Sequence, residues 1–215
     1  MWRNGIMPSA KDSFYHSTLA AGINHTPVLV TLDTPLLKDT YMSFEAGQTT
    51  TNYGTSTVFK VSVPGDGSDK RALLKFDISA IPAGVALESA SLVLDCSSFS
   101  GAATTLQLYL ILRSDWVESE ATNIIYKTGN DWTAPGAQGA GNDYQTSPKI
   151  ASDYSISGTG QKIIPFTLSE FNKFVNGTYT SPDMLIRAAG AIMDFSSLNH
   201  GTSNLRPFTR VTYYI

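Results

Sequence analysis

The chain has one cysteine, Cys96, in 215 residues, so no internal disulfide can form. It lies in an apolar alternating run, which marks a buried thiol rather than a reactive one. Charge is also scarce. Asp, Glu, Lys and Arg together make up 15% of the chain, against about a quarter in ordinary globular proteins, and the net charge is −3. No Lys/Arg cluster could neutralise a row of phosphates, so nucleic acid is excluded as a partner. The three histidines, His16, His25 and His200, are too scattered for a zinc site. No stretch approaches the roughly 18 apolar residues that cross a membrane. Residues Met1 to His16 contain no uninterrupted apolar segment of the signal-peptide kind. The expectation is therefore a protein made and kept in a host cytoplasm until released by lysis. No nucleophile elbow, H-E-x-x-H motif or phosphate-binding glycine loop is found, and nothing calls for catalysis.

Ser, Thr, Gly, Tyr and Asn are plentiful, and the dominant pattern has a period of two. Leu106, Leu108, Leu110 and Leu112 alternate with Gln107, Tyr109 and Ile111. Leu74, Phe76 and Ile78 share one face, as do Leu92, Leu94 and Cys96, and Val211, Tyr213 and Ile215. Val58–Val63 and Met184–Ala188 supply further strands. Each run turns one apolar face inward, the pattern of two packed antiparallel sheets. Turn residues separate the runs at Pro64-Gly65-Asp66-Gly67, Ile81-Pro82-Ala83-Gly84, Ser100-Gly101 and Ser157-Gly158-Thr159-Gly160. A loop rich in Gly, Asn and Pro runs from about Thr128 to Ser147, a length usually tied to function or to an interface.

The spacing of Leu168, Phe171, Phe174 and Val175 predicts one short helix covering an open edge of the sandwich. Thr167-Leu168-Ser169-Glu170 resembles a capping box, and Gly177 is placed to end the helix. The first 35 residues differ in character. Ala10 to Ala21 fits a short helix, and Pro27–Leu32 fits either a lead-in arm or a strand of the main sheet. The expected division is a docking arm over residues 1–35 and a sandwich domain over residues 36–215.

Several motifs then follow in a recognisable order: Lys38-Asp39-Thr40-Tyr41, Thr51-Asn52-Tyr53-Gly54, Arg71 to Ser79, Ile81 to Gly84, Ser89 to Leu94 and Asp115 to Thr122. The close adds Phe171–Gly177, Phe195-Ser196-Ser197, Leu205-Arg206-Pro207 and Val211-Thr212-Tyr213. In this order they resemble the DNRLRE-type (disaggregatase-related) domain from about residue 36 to the end. The resemblance implies a jelly-roll β-sandwich, used in some relatives as a carbohydrate-binding module and in others as part of phage structural proteins. Ile124-Ile125-Tyr126 departs from that family's pattern.

Trp132 and Tyr144, with Asn130, Asp131, Asn142 and Asp143 around them, form the candidate glycan site. Sugar-binding surfaces combine aromatic faces with amide and carboxylate hydrogen bonds. The alternative is that Trp132 plugs the end of the core. Asp115, Glu118 and Glu120 beside Trp116, and Asp66 with Asp69, are the candidate calcium ligands, weighed against solvated loops and hairpin tips. Arg71, Lys75 and Asp77 read as structural ion-pair or strand-end groups. Asn52 and Gly54 read as a turn that needs a positive φ.

Two functions are expected. The first is a non-catalytic virion protein of a tailed phage (a head decoration, collar, baseplate or fibre-base component). It would dock through its arm onto other virion proteins as a homo-oligomer, a trimer being favoured. The alternative is a stand-alone carbohydrate-binding module or adhesin, extracellular, acting on surface polysaccharide.

Overall fold

A computed structural model describes residues 27–63 and 66–215. Strand β1 (Leu29–Ser43) is followed by β2 (Val58–Ser62), β3 (Lys70–Phe76), β4 (Leu87–Ser100) and β5 (Thr104–Leu110). Short β6 (Ile125–Lys127) and β7 (Asn130–Asp131) form a hairpin, and β8 (Tyr154–Ile156) and β9 (Gly160–Pro165) precede helix α1 (Leu168–Val175). The chain closes with β10 (Asp183–Ala188), β11 (Ile192–Ser196) and β12 (Phe208–Tyr214). All strand pairings are antiparallel. The architecture is the all-β sandwich that the alternating pattern predicts, and it is of the jelly-roll type that the resemblance implies.

Strand β4 is the hub of the first sheet. One edge receives β12 along Leu87–Val93 and β11 along Cys96–Ser100, and the other edge receives β9 along Ser91–Cys96. Strand β2 then pairs with β11. Strand β2 also meets β3 at Ser62–Lys70, and the second sheet runs β1-β3-β10-β5-β8, so the two sheets are layers of one continuous ten-stranded ladder. Strand β1 belongs to both sheets. Leu29–Pro35 pairs with β12, whereas Leu36–Ser43 pairs with β3. The register slips between Leu36 and Lys38, leaving Leu37 as an extra residue with its side chain 52% exposed. Such a bulge bends a strand sharply enough to pass from one sheet to its partner. Of the two readings open for Pro27–Leu32, the strand of the main sheet is the one seen, since Leu29–Pro35 is hydrogen-bonded to β12. Residues 1–26, including the helix expected over Ala10–Ala21, lie outside the described residues.

The main core fills the space between the sheets. Leu74 and Phe76 of β3, Leu92, Leu94 and Cys96 of β4, Leu106, Leu108 and Leu110 of β5, and Val211 and Tyr213 of β12 all contribute to it. Cys96 is 1% exposed, and burial pushes its thiol pKa up, so the thiol is inert as expected. Helix α1 lies against β4 and inserts Phe171 and Phe174 into this core, with Phe166 stacked on Phe171 at 4.9 Å. The expected capping box does not form. The Thr167 side chain makes no cap bond, and the Glu170 carboxylate accepts instead from Lys173 at 2.8 Å and from the Tyr179 hydroxyl at 2.6 Å. Gly177, at φ 77°, ends the helix as its position suggests.

A second core lies on the outer face of the second sheet. Met42, Leu73, Tyr109 and Leu185 point away from the sandwich and are covered by the segment between β5 and β8. Trp116, Ala121, Tyr126, Trp132, Ala137 and Tyr144 complete this layer. The Trp132 indole N–H donates to the Thr122 carbonyl at 2.9 Å. Because the ring fills this second core, Trp132→Ala should lower the unfolding free energy by about 3–5 kcal/mol in urea titrations. A change below about 0.5 kcal/mol would show that the ring is not buried in solution.

Candidate functional site

The sequence motifs meet in one polar network beside the β1 bulge. The Asp39 backbone N–H donates to Glu118 Oε1 at 2.7 Å, and Asp39 Oδ2 accepts from the Leu198 N–H at 2.7 Å. Asn52 Nδ2 donates to the carbonyls of Glu118 and Ala121 at 2.7 and 2.8 Å. Asn52 Oδ1 accepts from the Gly54 N–H at 3.1 Å, and Asn199 Nδ2 donates to the Gly54 carbonyl at 2.8 Å. On the second-core side, Lys38 donates to the Trp116 carbonyl and sits 3.8 Å from the indole centroid. The Trp116 indole N–H donates to Asp183 Oδ1 at 2.8 Å. Lys75 lies 3.6 Å from the other Asp183 oxygen and donates to Ser181 Oγ at 2.7 Å.

The structural reading of Lys75 and Asp77 is thereby supported, since Asp77 Oδ1 only caps the Ser79 N–H at 2.9 Å. Arg71 is 6% exposed; it donates to the Gly136 carbonyl and lies over the Phe44 ring. The role expected for Gly54 is corrected. Its φ is not positive, and what it supplies is clearance: a Cβ there would lie 2.3 Å from the Glu118 carbonyl oxygen. Burial pushes the Asp39 carboxyl up to about 7, with the Leu198 N–H opposing and the Glu118 charge adding to the rise. Burial likewise raises Glu118 and Asp183 and lowers Lys38.

The expected glycan residues do not form an open platform. Trp132 is 4% and Tyr144 8% exposed, so neither ring has a free face for a sugar. Asp143 is fully buried and accepts three backbone N–H bonds, from Thr133, Ala134 and Gly139, at 2.8 to 3.1 Å. Asn130 pins its own turn through the Thr128 carbonyl, and Asn142 lies exposed at the loop tip. The alternative reading of Trp132 as a core plug is the one the burial favours.

The expected calcium residues also stay apart. Asp115 pairs with Lys127, Glu118 holds the Asp39 N–H, and Glu120 accepts from the Thr128 N–H at 2.6 Å. Asp66 accepts from the Ser68 N–H and hydroxyl at its own hairpin tip, and the Asp69 carbonyl accepts from the Phe44 N–H. Among the described residues, no three His, Cys, Asp or Glu side chains come together around a metal-sized point.

A groove not foreseen from the sequence opens on the outer face of the first sheet. It encloses about 300 Å³ between Asp33 and Pro35 of β1, Phe208 of β12, and Leu198, Ser203, Arg206 and Pro207 of the preceding turn. Asp33 receives two bonds from Arg210, both at 2.8 Å, and the Arg210 guanidinium lies 5.3 Å from the Phe208 centroid. An exposed ion pair of this kind adds little stability. What it does here is hold a planar guanidinium and carboxylate beside an aromatic ring. Arg206 Nε donates to the His200 carbonyl at 2.8 Å, leaving its terminal nitrogens without a partner among the described residues. A second, narrower cleft of about 170 Å³ lies between Leu112, Ser114, Gln145, Tyr179 and Ser181.

The sequence profile of carbohydrate-binding module family 96 matches residues 31–136, somewhat less than half of the chain. The matched stretch runs from within β1 to just past β7; it includes the bulge and the Asp33–Pro35 wall of the groove, while β8 to β12 and the Leu198–Phe208 side of the groove lie beyond it. The domain is thus carbohydrate-binding-module-like. No curated protein matches the chain.

The network makes two predictions. Gly54→Ala should destabilise the fold by about 2 kcal/mol or more in urea, because backbone must move to admit the methyl. The second concerns pH. The folded pKa of Asp39, about 7, lies above the ordinary aspartate value of 3.8, so the native state binds the proton more tightly. The Asp39 contribution is therefore fully present below about pH 4 and is lost as pH rises towards 7. Asp39→Asn should flatten the fall in melting temperature across this window. An unchanged pH profile would show that Asp39 does not titrate there.

Proposed function

We propose that this chain is a non-catalytic carbohydrate-binding module that holds a glycan in the groove of Asp33, Arg206 and Phe208. The observation that carries the proposal is the family 96 match over residues 31–136, on a chain whose outer sheet face presents a groove of this chemistry. A volume near 300 Å³ falls at the lower end of the range of small-ligand sites. A pyranose offers an apolar C–H face to Phe208 and Pro35. Its hydroxyls, which both donate and accept, suit the Asp33 carboxylate and the free nitrogens of Arg206. The ion pair with Arg210 fixes Asp33 before binding, which lowers the ordering cost of the complex.

The closer kinship to DNRLRE-type domains belongs to the same proposal. Its support is that the Lys38-Asp39, Asn52-Tyr53-Gly54, Lys75-Phe76-Asp77 and Trp116-Val117-Glu118 motifs, spread along the chain, meet around one buried network. In this reading the module works outside the cell, on polysaccharide of a wall or envelope. The virion reading draws on the beginning of the chain, which lies outside the described residues, and takes second place.

Affinity electrophoresis against plant, algal and bacterial polysaccharides tests the proposal. At least one polymer should retard the intact chain, and Phe208→Ala with Arg206→Ala should weaken that retardation about tenfold or more. Retardation unchanged in the double variant would place the site elsewhere. No retardation by any polymer would contradict carbohydrate binding itself.

A further inference from the structure

The groove continues into an apolar row that crosses four strands. Pro35 of β1 is paired with Phe208 of β12, Phe208 with Val93 of β4, and Val93 with Ile163 of β9. Alternation puts all four side chains on the outer face. Their neighbours Thr34, Thr209, Leu92 and Ile164 point inward and are at most 1% exposed. Val93 is buried between its neighbours, Phe208 is half-buried, and Ile163, on the edge strand, is 49% exposed. With strands about 4.8 Å apart, the row is roughly 14 Å long.

Polar side chains border the row on both sides. Asp33, Arg210 and Ser91 form the next register row on one side, in line with Pro165, and Asp95 and Gln161 form the row on the other. Two accessible apolar points, Phe208 and Ile163, with hydrogen-bonding side chains on each side of the line between them, are the complement of a linear pyranose chain lying flat. Such a chain shows C–H faces to the sheet and hydroxyls along its two edges. An apolar protein partner would leave these rims unpaired at the contact, at a desolvation cost.

We infer that the module recognises an internal stretch of a linear polysaccharide laid across the strands, with Ile163 forming a distal subsite that sets the length of chain bound. This rests on the carbohydrate reading above. The groove at Phe208 holds one sugar unit, and the chain continues to Ile163, passing over Val93, which is 2% exposed and offers no face of its own. The strand spacing is close to the repeat of a β-linked pyranose chain, so about three units cover the row.

The test is calorimetric titration of the full chain with β-1,4-linked glucan, xylan, mannan and uronan ladders, from disaccharide to hexasaccharide. For the ladder that binds, affinity should rise about tenfold from disaccharide to tetrasaccharide and then level off. Ile163→Ser should remove that gain while leaving disaccharide affinity unchanged, and Ile163→Leu should restore it. Ile163 is exposed, so the variants should fold as the parent does, with the melting temperature as the check. Affinity independent of length overturns the inference while leaving the single-unit groove standing, as does equal weakening by Ile163→Ser at every length. A concentration-dependent dimer in sedimentation that Ile163→Ser abolishes would assign the row to a second copy of this chain and overturn it too. Binding by none of the ladders, combined with no retardation by any polymer, would remove the carbohydrate reading and this inference together.

Discussion

Most of this structure depends on the place where β1 leaves one sheet for the other. Seven residues pair with β12 and seven with β3, Leu36 just before the bulge and six after it. The strand thereby ties the two layers together covalently. A bulge alone would leave a bent and weakly held strand. The Asp39–Glu118 and Lys38–Trp116 bonds fasten it to the segment that covers the second sheet, and the two bonds from Asn52 tie the loop that follows β1 to the same segment. Gly54 lets that segment approach closely because it carries no side chain. The network is buried and charged, so its worth lies in fixing one arrangement rather than in added stability.

That segment has its own consequence. Antiparallel sheets commonly leave one face to solvent, and a sequence with alternating polar residues invites that assumption. Here the outer face of the second sheet is roofed over, and it holds Lys38, Lys75 and Asp183 in partly or wholly buried positions. The roof consumes the aromatic residues of the long loop as core. It leaves the outer face of the first sheet, with its groove, open to solvent. The functional groups on that face come from opposite ends of the chain: Asp33 and Pro35 near its start, and Arg206, Phe208 and Arg210 near its end.

This explains what could and could not be read from the sequence. Strands such as β5 and β12, with apolar residues at every second position, were plain from local pattern, and so was α1 from its helical spacing. The bulge at Leu37 was hidden because a one-residue slip leaves no mark in an apolar and polar alternation. Trp132 was read as a possible platform because solvent exposure of a loop aromatic is decided by what lies beneath it, here Leu73 and Leu185 from distant strands. The groove was hidden for a similar reason. In the sequence Arg206 stands out only within the Leu205-Arg206-Pro207 motif, and nothing local joins Asp33 to Arg210, which lies 177 residues further along the chain. Most of the motifs that pointed to a known kind of domain meet in the network that locks the fold, while one, Leu205-Arg206-Pro207, lines the proposed groove.

The central claim is that the outer face of the first sheet, and not the long loop, receives carbohydrate. Chemical-shift mapping of the isotope-labelled chain during titration with a retarding polysaccharide's oligomers tests it most directly. Perturbations gathered at Asp33, Arg206, Phe208 and Arg210, with Trp132 and Tyr144 unmoved, are the predicted result. Perturbations centred on the Trp132 indole and the Asn142 loop tip would contradict the account.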